Sequence, residues 1–262
     1  MNTEPLSISV AGGIARLTLN RPDAGNALDF EVAHALAAAA VRCDTDPAIR
    51  CVVLTGAGRL FCAGGDVRLF SSAGDRAGEL LGELAGVLHR AVGHFARMRK
   101  PMLALVNGPA AGAGLSLALS ADVVLAARSV HFTAAYGAIG LTPDGGLTWL
   151  LPRLVGLRRA QEILLTNRRI AAAEAETMGL VTRLVDDTEL EAEGTKTAEA
   201  LAHAATGALG ATRALLLESF DNRLEVQLEN EARAIAAAGA GRECREGLAA
   251  FLGKRKPDFQ GV

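Results

Sequence analysis

The spacing of apolar and polar side chains changes several times along the chain, and each pattern predicts an element. Residues 6–10 and 14–20 alternate between apolar and polar around Ala11-Gly-Gly13, which is typical of a β-hairpin. Asp29 then precedes an alanine-rich stretch that reaches Arg42, and this predicts a helix capped by the aspartate. We therefore expect a hairpin followed by a helix in the amino-terminal part.

Short apolar runs alternate with helical patterns over the next part of the chain. The runs at residues 49–54, 102–106 and 122–127 predict buried strands. Apolar side chains recur at helical spacing from residue 80 to 98, and a second helix is predicted over residues 112–120. This alternation is typical of an α/β protein with a mostly parallel sheet covered by helices.

Helical patterns dominate after Gly145, where only residues 180–185 favour another strand. The predicted helices cover residues 146–155, 158–166, 171–178, 188–206, 208–220, 224–238 and 242–252. We expect a core over residues 1–200. Residues 201–262 are expected to form a C-terminal helical region that makes the contacts between subunits. Alanine stripes in these helices favour close packing within the chain or between subunits.

Composition and charge narrow the possible partners. The chain has 262 residues, half of them hydrophobic, and a formal net charge of −2 spread along its length. Without a basic stripe, neither nucleic acid nor an anionic membrane surface is an expected partner. The first residues do not resemble a signal peptide and the cysteines lack a Cys-x-x-Cys spacing, so we expect a cytoplasmic protein with reduced thiols. The histidines and acids show no metal-ligand spacing, and no metal is expected.

Two glycine-rich segments each follow a predicted strand and precede a helix. They are Phe61-Cys-Ala-Gly-Gly-Asp66 and Asn107-Gly-Pro-Ala-Ala-Gly-Ala-Gly114. Two such loops can direct two backbone N–H groups at one oxygen, and this oxyanion hole would stabilise negative charge on a carbonyl or thioester oxygen. Asp144 is the titratable group expected beside them, either as a base or as the N-cap of the next helix.

Several motifs agree in order and spacing with a known family. They are Asn20-Arg-Pro22, Asn26-Ala-Leu28, Ala63-Gly-Gly-Asp66, Val106-Asn-Gly108, and Phe251-Leu-Gly-Lys254 with Pro257. Over essentially its whole length the chain resembles the crotonase superfamily of enoyl-CoA hydratases and isomerases. The resemblance implies a crotonase-like spiral of β-β-α units with a helical C-terminal layer, assembled as a homotrimer or hexamer. It also implies an acyl-CoA thioester substrate and no separate cofactor, since coenzyme A enters as part of the substrate.

The resemblance also implies roles for single residues. It assigns the two oxyanion donors to the backbone N–H groups of Gly65 and Ala113, although glycine is commoner than alanine at the second position. The positions that match the adenine and pantetheine path are Ala24, Ala27, Ala63, Asp66 and Val67. Phe251 and Lys254 match a C-terminal pair that contacts the nucleotide end of CoA, often from a neighbouring subunit.

The main departure from the family concerns the two glutamates that hydratases use as base and acid. Their positions hold Ser116 and Tyr136, and neither side chain is a general base near neutral pH. Asp144 stands where isomerases and dehalogenases of the superfamily carry a carboxylate, and the surrounding sequence looks most like the isomerase branch of bacterial phenylacetate degradation. We therefore predict an acyl-CoA isomerase that moves a double bond or rearranges a ring epoxide, with Asp144 as the proton shuttle.

Alternatives remain for the function and for single side chains. The chain could be a hydratase or another acyl-CoA hydrolase or lyase, or an acyl-CoA-binding relative without activity. A nicotinamide dinucleotide site is disfavoured because the glycines at 108, 112 and 114 do not follow a Gly-x-Gly-x-x-Gly spacing. Tyr136 could line the acyl pocket and donate a hydrogen bond to substrate or pack in the core, Cys62 is expected to be buried, and His89 and His94 are expected to be packing or surface residues.

Overall fold

The computed structural model describes residues 4–261 as nine strands and eleven α-helices, joined in places by single 3-10 turns. In chain order the strands are β1 (Leu6–Ala11), β2 (Ile14–Leu19), β3 (Cys51–Gly56), β4 (Met102–Val106), β5 (Ala110–Ala111), β6 (Val123–Ala127), β7 (His131–Thr133), β8 (Arg169–Ala171) and β9 (Arg183–Val185). The helices are α1 (Phe30–Thr45), α2 (Val67–Ser72), α3 (Ala77–Arg97), α4 (Ala113–Leu119), α5 (Leu147–Val155), α6 (Leu157–Thr166), α7 (Ala172–Thr177), α8 (Leu190–His203), α9 (Thr206–Glu218), α10 (Leu224–Gly239) and α11 (Arg242–Leu252).

A six-stranded sheet, in the order β1-β2-β3-β4-β6-β9, forms the centre of the fold. Only β1 runs antiparallel to its neighbour, and the other pairs are parallel. Every residue of β3 and β4 is buried, because parallel strands are covered on both faces. Helix α8 covers one face so closely that a methyl group added at Gly194 would lie 2.5 Å from Leu105 Cδ1. The predicted α/β class is confirmed.

The first hairpin also agrees with the pattern of the sequence. Gly12 and Gly13 have φ angles of 57° and 79°, a left-handed pair that suits the tight turns of hairpins. Strand β2 buries Ala15, Leu17 and Leu19 on one face, so its alternation reflects a half-buried strand. Asp29 caps α1 through a hydrogen bond from the Val32 N–H, as predicted.

A second sheet, in the order β5-β7-β8, was not predicted. The expectation that only one strand follows Gly145 is wrong, because β8 precedes β9. These strands have two or three residues each, too few to show an alternating pattern. Helix α2 was missed for a similar reason, since it spans less than two turns.

The carboxyl-terminal part is helical, as predicted, with bounds that shift by a few residues. The predicted boundary between two regions at residue 200 falls inside α8, and this division stays a prediction. Among residues 4–261, none of the helices has by itself the length and apolarity to span a membrane, and α8 with α9 meets that test only as a pair bent by 99°.

Close backbone contacts make Gly108, in the segment that follows β4, hard to replace. A methyl group at Gly108 would lie 2.1 Å from the carbonyl oxygen of Arg59. We expect Gly108→Ala to lower the free energy of unfolding by at least about 2 kcal/mol, because the backbone must shift to relieve the clash. Denaturant unfolding would measure the loss.

Gly86→Ala is the matched control, because the same substitution there meets no atom within 4 Å in the middle of α3. It should raise the free energy of unfolding by about 0.5–1 kcal/mol through the better helix propensity of alanine. Equal effects of the two substitutions would contradict the packing argument.

Candidate active site

The loop that contains Gly65 is held by the main chain of Leu28. The Leu28 N–H donates to the Gly64 carbonyl at 2.8 Å, and the Asp66 N–H donates to the Leu28 carbonyl at 3.0 Å. In such a parallel bridge the residue between the two bonded groups turns its own N–H to the opposite side. The N–H of Gly65 therefore points away from Leu28, and within residues 4–261 it has no hydrogen-bond acceptor.

The preceding turn is held by the buried side chain of Asn26. Its Nδ2 donates to the carbonyls of Ala57, Leu60 and Phe61, and its Oδ1 accepts from the Arg21 N–H. Asn26 has a left-handed φ of 56°, a conformation that asparagine tolerates better than most residues. These bonds satisfy a buried amide and join the turn to the glycine-rich loop.

The second glycine-rich segment lies directly beside the first. The Ala111 N–H donates to the Cys62 carbonyl at 2.9 Å, so Cys62 and Ala110 form a short parallel bridge. Gly112 follows with a φ of 52°, and Ala113 begins α4. As the first residue of a helix, Ala113 has no intrahelical acceptor, and its N–H finds no other among the described residues.

Both loops open onto one cavity of about 460 Å³. Gly65, Ala113, Ala63, Val67, Tyr136 and Asp144, all singled out from the sequence, line it. The other lining residues are Leu28, Ala33, Gly64, Phe70, Leu81, Gly82, Leu84, Ala85, Leu88, Gly112, Ala135, Ala138, Ile139, Leu141 and Thr142. The cavity is thus mostly apolar, with two unpaired amides and one carboxylate.

Asp144 is held by groups from separate elements. The Tyr136 hydroxyl donates to Asp144 Oδ1 at 2.6 Å, and the Ser116 hydroxyl donates to the Asp144 main-chain carbonyl at 3.0 Å. Ser116 Oγ also lies 3.3 Å from Tyr136 Oη. Tyr136 is therefore a cavity-lining hydroxyl bonded to the carboxylate, and Ser116 positions the loop.

The hypothesis that Asp144 caps the next helix is wrong. Helix α5 begins at Leu147 with Gly146 as its N-cap, and no side chain caps it. The Asp144 carboxylate instead accepts from Tyr136 and lines the cavity. The next residue, Gly145, approaches Ser116 so closely that an added Cβ would lie 2.8 Å from the serine Cβ, which explains a residue without a side chain there.

His89 is an exposed residue, in agreement with the packing or surface role expected from the sequence, and its side chain also contacts the Asp144 loop. Its Nε2 accepts a hydrogen bond of 3.1 Å from the N–H of Gly145. This hydrogen bond connects the loop that contains Asp144 to helix α3. No local sequence signal marks this contact, because the two residues are 56 positions apart.

Burial changes the acidity of two side chains at the site. It raises the pKa of the Tyr136 hydroxyl, and the negative charge of nearby Asp144 raises it further. The phenol therefore stays protonated at neutral pH and remains a donor. Burial also raises the pKa of the Cys62 thiol to about 12, so this cysteine is a buried, unreactive thiol, as predicted.

Asp66 matches the CoA path of the family, a role that stays a prediction, and its carboxylate is bonded to protein groups. Its carboxylate accepts from the Arg68 and Leu69 N–H groups as the N-cap of α2, and it forms an ion pair of 3.2 Å with Arg21. Arg21 also pairs with Asp29 at 2.9 Å. The sequence motif contained Arg21, but its role in joining two helix starts was missed.

The remaining predicted binding residues do not line this cavity among the residues that the structure describes. Ala24 is exposed and Ala27 is buried, and both lie in the turn beside Ala63. Phe251 and Lys254 lie at the exposed end of α11, where Phe251 is 81% exposed. A contact between these two residues and CoA stays a prediction.

Comparisons with known proteins agree with this architecture. A family model described as enoyl-CoA hydratase/isomerase matches residues 9–262. A 1,2-epoxyphenylacetyl-CoA isomerase from Escherichia coli (strain K12) is 39% identical over 254 residues, which cover 96% of this chain and 97% of that protein. A protein of Rhodobacter capsulatus named as a probable enoyl-CoA hydratase is 40% identical over 261 residues, or 100% of each chain. The crystal structure of an enoyl-CoA hydratase from Polaromonas sp. JS666 has a TM-score of 0.92 at 35% identity, over 97% of this chain and 98% of that one.

The main-chain N–H of Ala113 can be removed by a single substitution that keeps the helical backbone. Proline is tolerated at the first position of a helix but has no N–H, so Ala113→Pro should remove one donor while leaving α4 in place. We expect turnover of an enoyl-CoA thioester to fall about 10²- to 10³-fold, the usual effect of losing one oxyanion donor.

Ala113→Gly keeps the N–H and is the matched control, with turnover expected within a few-fold of the parent. Steady-state assays would be run beside thermal melts to check folding. Wild-type turnover in a folded Ala113→Pro protein would contradict the donor role.

Proposed function

This chain belongs to the enoyl-CoA hydratase/isomerase family, with its crotonase-type α/β fold, and we propose that it is an acyl-CoA isomerase with one carboxylate base. The observation that carries the proposal is that Asp144 is the sole aspartate or glutamate among the described residues lining the cavity. Hydration of a double bond needs a base for water and an acid for the α-carbon. Isomerisation can use one group for both proton transfers.

The proposed reaction starts with the thioester oxygen between the N–H groups of Gly65 and Ala113. Asp144 removes a proton from the carbon next to the thioester of a 3-enoyl group, and the electron pair moves to the thioester oxygen. The two amides stabilise the resulting dienolate. The same carboxyl group then returns the proton to the γ-carbon, which yields the conjugated 2-enoyl thioester with no net change in protons.

Tyr136 and Ser116 support the base rather than replace it. The buried phenol stays protonated because its pKa is raised, so it donates to Asp144 and does not accept a proton. The Ser116 hydroxyl is committed to the main chain of the Asp144 loop. Neither side chain supplies the second carboxylate of a hydratase.

The names of the relatives support a second substrate class and also an alternative function. The relative at 39% identity is named for an epoxyphenylacetyl-CoA, which supports a ring-epoxide thioester of phenylacetate degradation as a second substrate class. Other relatives carry the name enoyl-CoA hydratase, which keeps hydration as the alternative function. Formation of a 3-hydroxyacyl product from crotonyl-CoA would favour that alternative, and thioester binding without any turnover would favour an acyl-CoA-binding protein.

As part of the proposal, the protein is a cytoplasmic homotrimer or hexamer, and the surface of the C-terminal helices supports association between subunits. Large apolar side chains are exposed on these helices, among them Leu216, Phe220, Leu224, Leu228, Ile235, Leu248, Phe251 and Leu252. A groove of about 1210 Å³ between α9, α10 and α11 adds surface for a second subunit. In such an assembly Phe251 and Lys254 would contact the nucleotide of CoA bound to a neighbour, and no cofactor beyond the substrate's own CoA would be needed.

Removal of the base is the direct test of the mechanism. We expect Asp144→Asn to lower the conversion of 3-enoyl-CoA to 2-enoyl-CoA by about 10³-fold, because the amide cannot take up the proton. The absorbance of the conjugated thioester measures this rate, and calorimetry should show CoA-thioester binding within a few-fold of the parent. Asp75→Asn, an exposed carboxylate away from the cavity, is the control and should keep full activity. Full activity of Asp144→Asn would refute the proposal.

The substitution Tyr136→Phe tests whether Tyr136 only donates a hydrogen bond to Asp144 or also transfers a proton itself. Loss of a hydrogen bond to a carboxylate, worth roughly 1.5–3 kcal/mol, should lower kcat by about 10- to 150-fold and leave KM nearly unchanged. The variant therefore keeps more activity than Asp144→Asn. If both variants lose activity equally, Tyr136 itself transfers a proton and the mechanism with one base is wrong.

A further inference from the structure

The walls that α2, α3 and the turn after Tyr136 contribute to the cavity are apolar. Their apolar side chains include Val67, Phe70, Leu81, Leu88 and Ile139. Thr142 is the single hydroxyl on these walls, and none of the described lining residues is lysine or arginine. A carboxylate at the far end of an acyl group would thus lie against apolar walls without a cation to pair with, which is unfavourable. The lining favours an uncharged acyl group.

Gly82 is the lining residue that protein packing does not explain. It lies inside α3 at the exposed mouth of the cavity, where glycine weakens a helix relative to alanine. A Cβ added there meets no atom within 4 Å. The position therefore has room for a side chain, and because Gly82 itself lines the cavity, a long side chain there can reach the cavity space.

Other glycines of the chain differ from Gly82 either in packing or in their position relative to the cavity. A Cβ at Gly194 or Gly210 would lie 2.5 Å or 2.3 Å from a neighbouring atom, so both positions exclude a side chain. Gly78, one turn before Gly82 on the same helix, is also free of contacts but does not line the cavity. Of these four glycines, only Gly82 both has room for a side chain and lines the cavity.

We propose that Gly82 sets the upper size of the acyl group and that the acyl group is uncharged and apolar. The inference rests on the proposed function for the place of the thioester, between Gly65 and Ala113. With the α-carbon near Asp144, the rest of the acyl group extends along the apolar walls toward α3. A side chain at position 82 would fill the space that a long or cyclic acyl group needs, whereas a short chain would not reach it.

Substitution at Gly82 tests the size limit with a long and a short substrate. Gly82→Leu should lower kcat/KM for 3-dodecenoyl-CoA by at least about tenfold and leave kcat/KM for 3-hexenoyl-CoA within about twofold, since steric discrimination in apolar pockets is of this order. Gly78→Leu is the matched control and should leave both substrates unchanged. Gly82→Ala should give a smaller loss in the same direction with a raised Tm, and it replaces the leucine variant if that variant does not fold. Equal losses on both substrates, or the same selectivity in Gly78→Leu, would overturn the inference.

Binding measurements separate this inference from the proposed reaction. Calorimetry with the saturated thioesters dodecanoyl-CoA and hexanoyl-CoA needs no turnover, and Gly82→Leu should weaken the first at least about tenfold and not the second. Adipoyl-CoA, which ends in a carboxylate, should bind the parent at least about tenfold more weakly than hexanoyl-CoA, because its charge is desolvated without a partner. Loss of turnover with these binding differences intact would contradict the isomerase reaction alone. Equal affinities would contradict the size and charge limits.

Discussion

The hydrogen bonds between residues 25–28 and residues 61–66 hold the first glycine-rich loop in place, and the geometry of the site depends on them. The Ala63 N–H donates to the Gly25 carbonyl, and Leu28 bonds to both sides of Gly65 through its own N–H and carbonyl. One edge of the glycine-rich loop is thereby paired, and the N–H of Gly65 is left on the other edge, toward the cavity. A donor fixed in this way needs no reorganisation when a ligand oxygen arrives, which is the property that makes main-chain amides effective in stabilising an anion.

The carboxylate of Asp144 is also held in place by a few hydrogen bonds. Asp144 follows a turn that three side chains hold: Tyr136 at the carboxylate, Ser116 at the carbonyl, and His89 at the next N–H. Electrostatic interactions of the charged group are stronger in an apolar cavity than in water, and here no second carboxylate lines the described cavity wall. This single charge is the physical basis for proposing a reaction in which one group moves one proton.

Glycines serve two separate purposes in this chain. At Gly56, Gly108 and Gly114 a Cβ would lie within 2.6 Å of backbone atoms, so glycine lets the central strands and the two loops approach each other. At Gly82 the missing side chain leaves space in the cavity instead. The first use sets the geometry of the amides, and the second sets the room for the substrate that we propose.

Local patterns in the sequence determined the elements that bury a long periodic stripe and the motifs that lie within one segment. The hairpin, the buried strands β3, β4 and β6, the long helix α3 and both glycine-rich loops were predicted on that basis. Asp144 was expected beside the loops, and the family resemblance implied its role as a proton shuttle. The strands β5, β7 and β8 were not, because two or three residues carry no period.

Only the tertiary structure decided which side chains surround Asp144. Tyr136 and Ser116 contact Asp144 from 8 and 28 positions away, and His89 contacts Gly145 from 56 positions away. The cavity wall at Gly82 likewise depends on how α3 lies against the loops. Contacts between distant segments follow from the packing of the elements, whereas periodicity, capping and turn residues report only on the residues next to them.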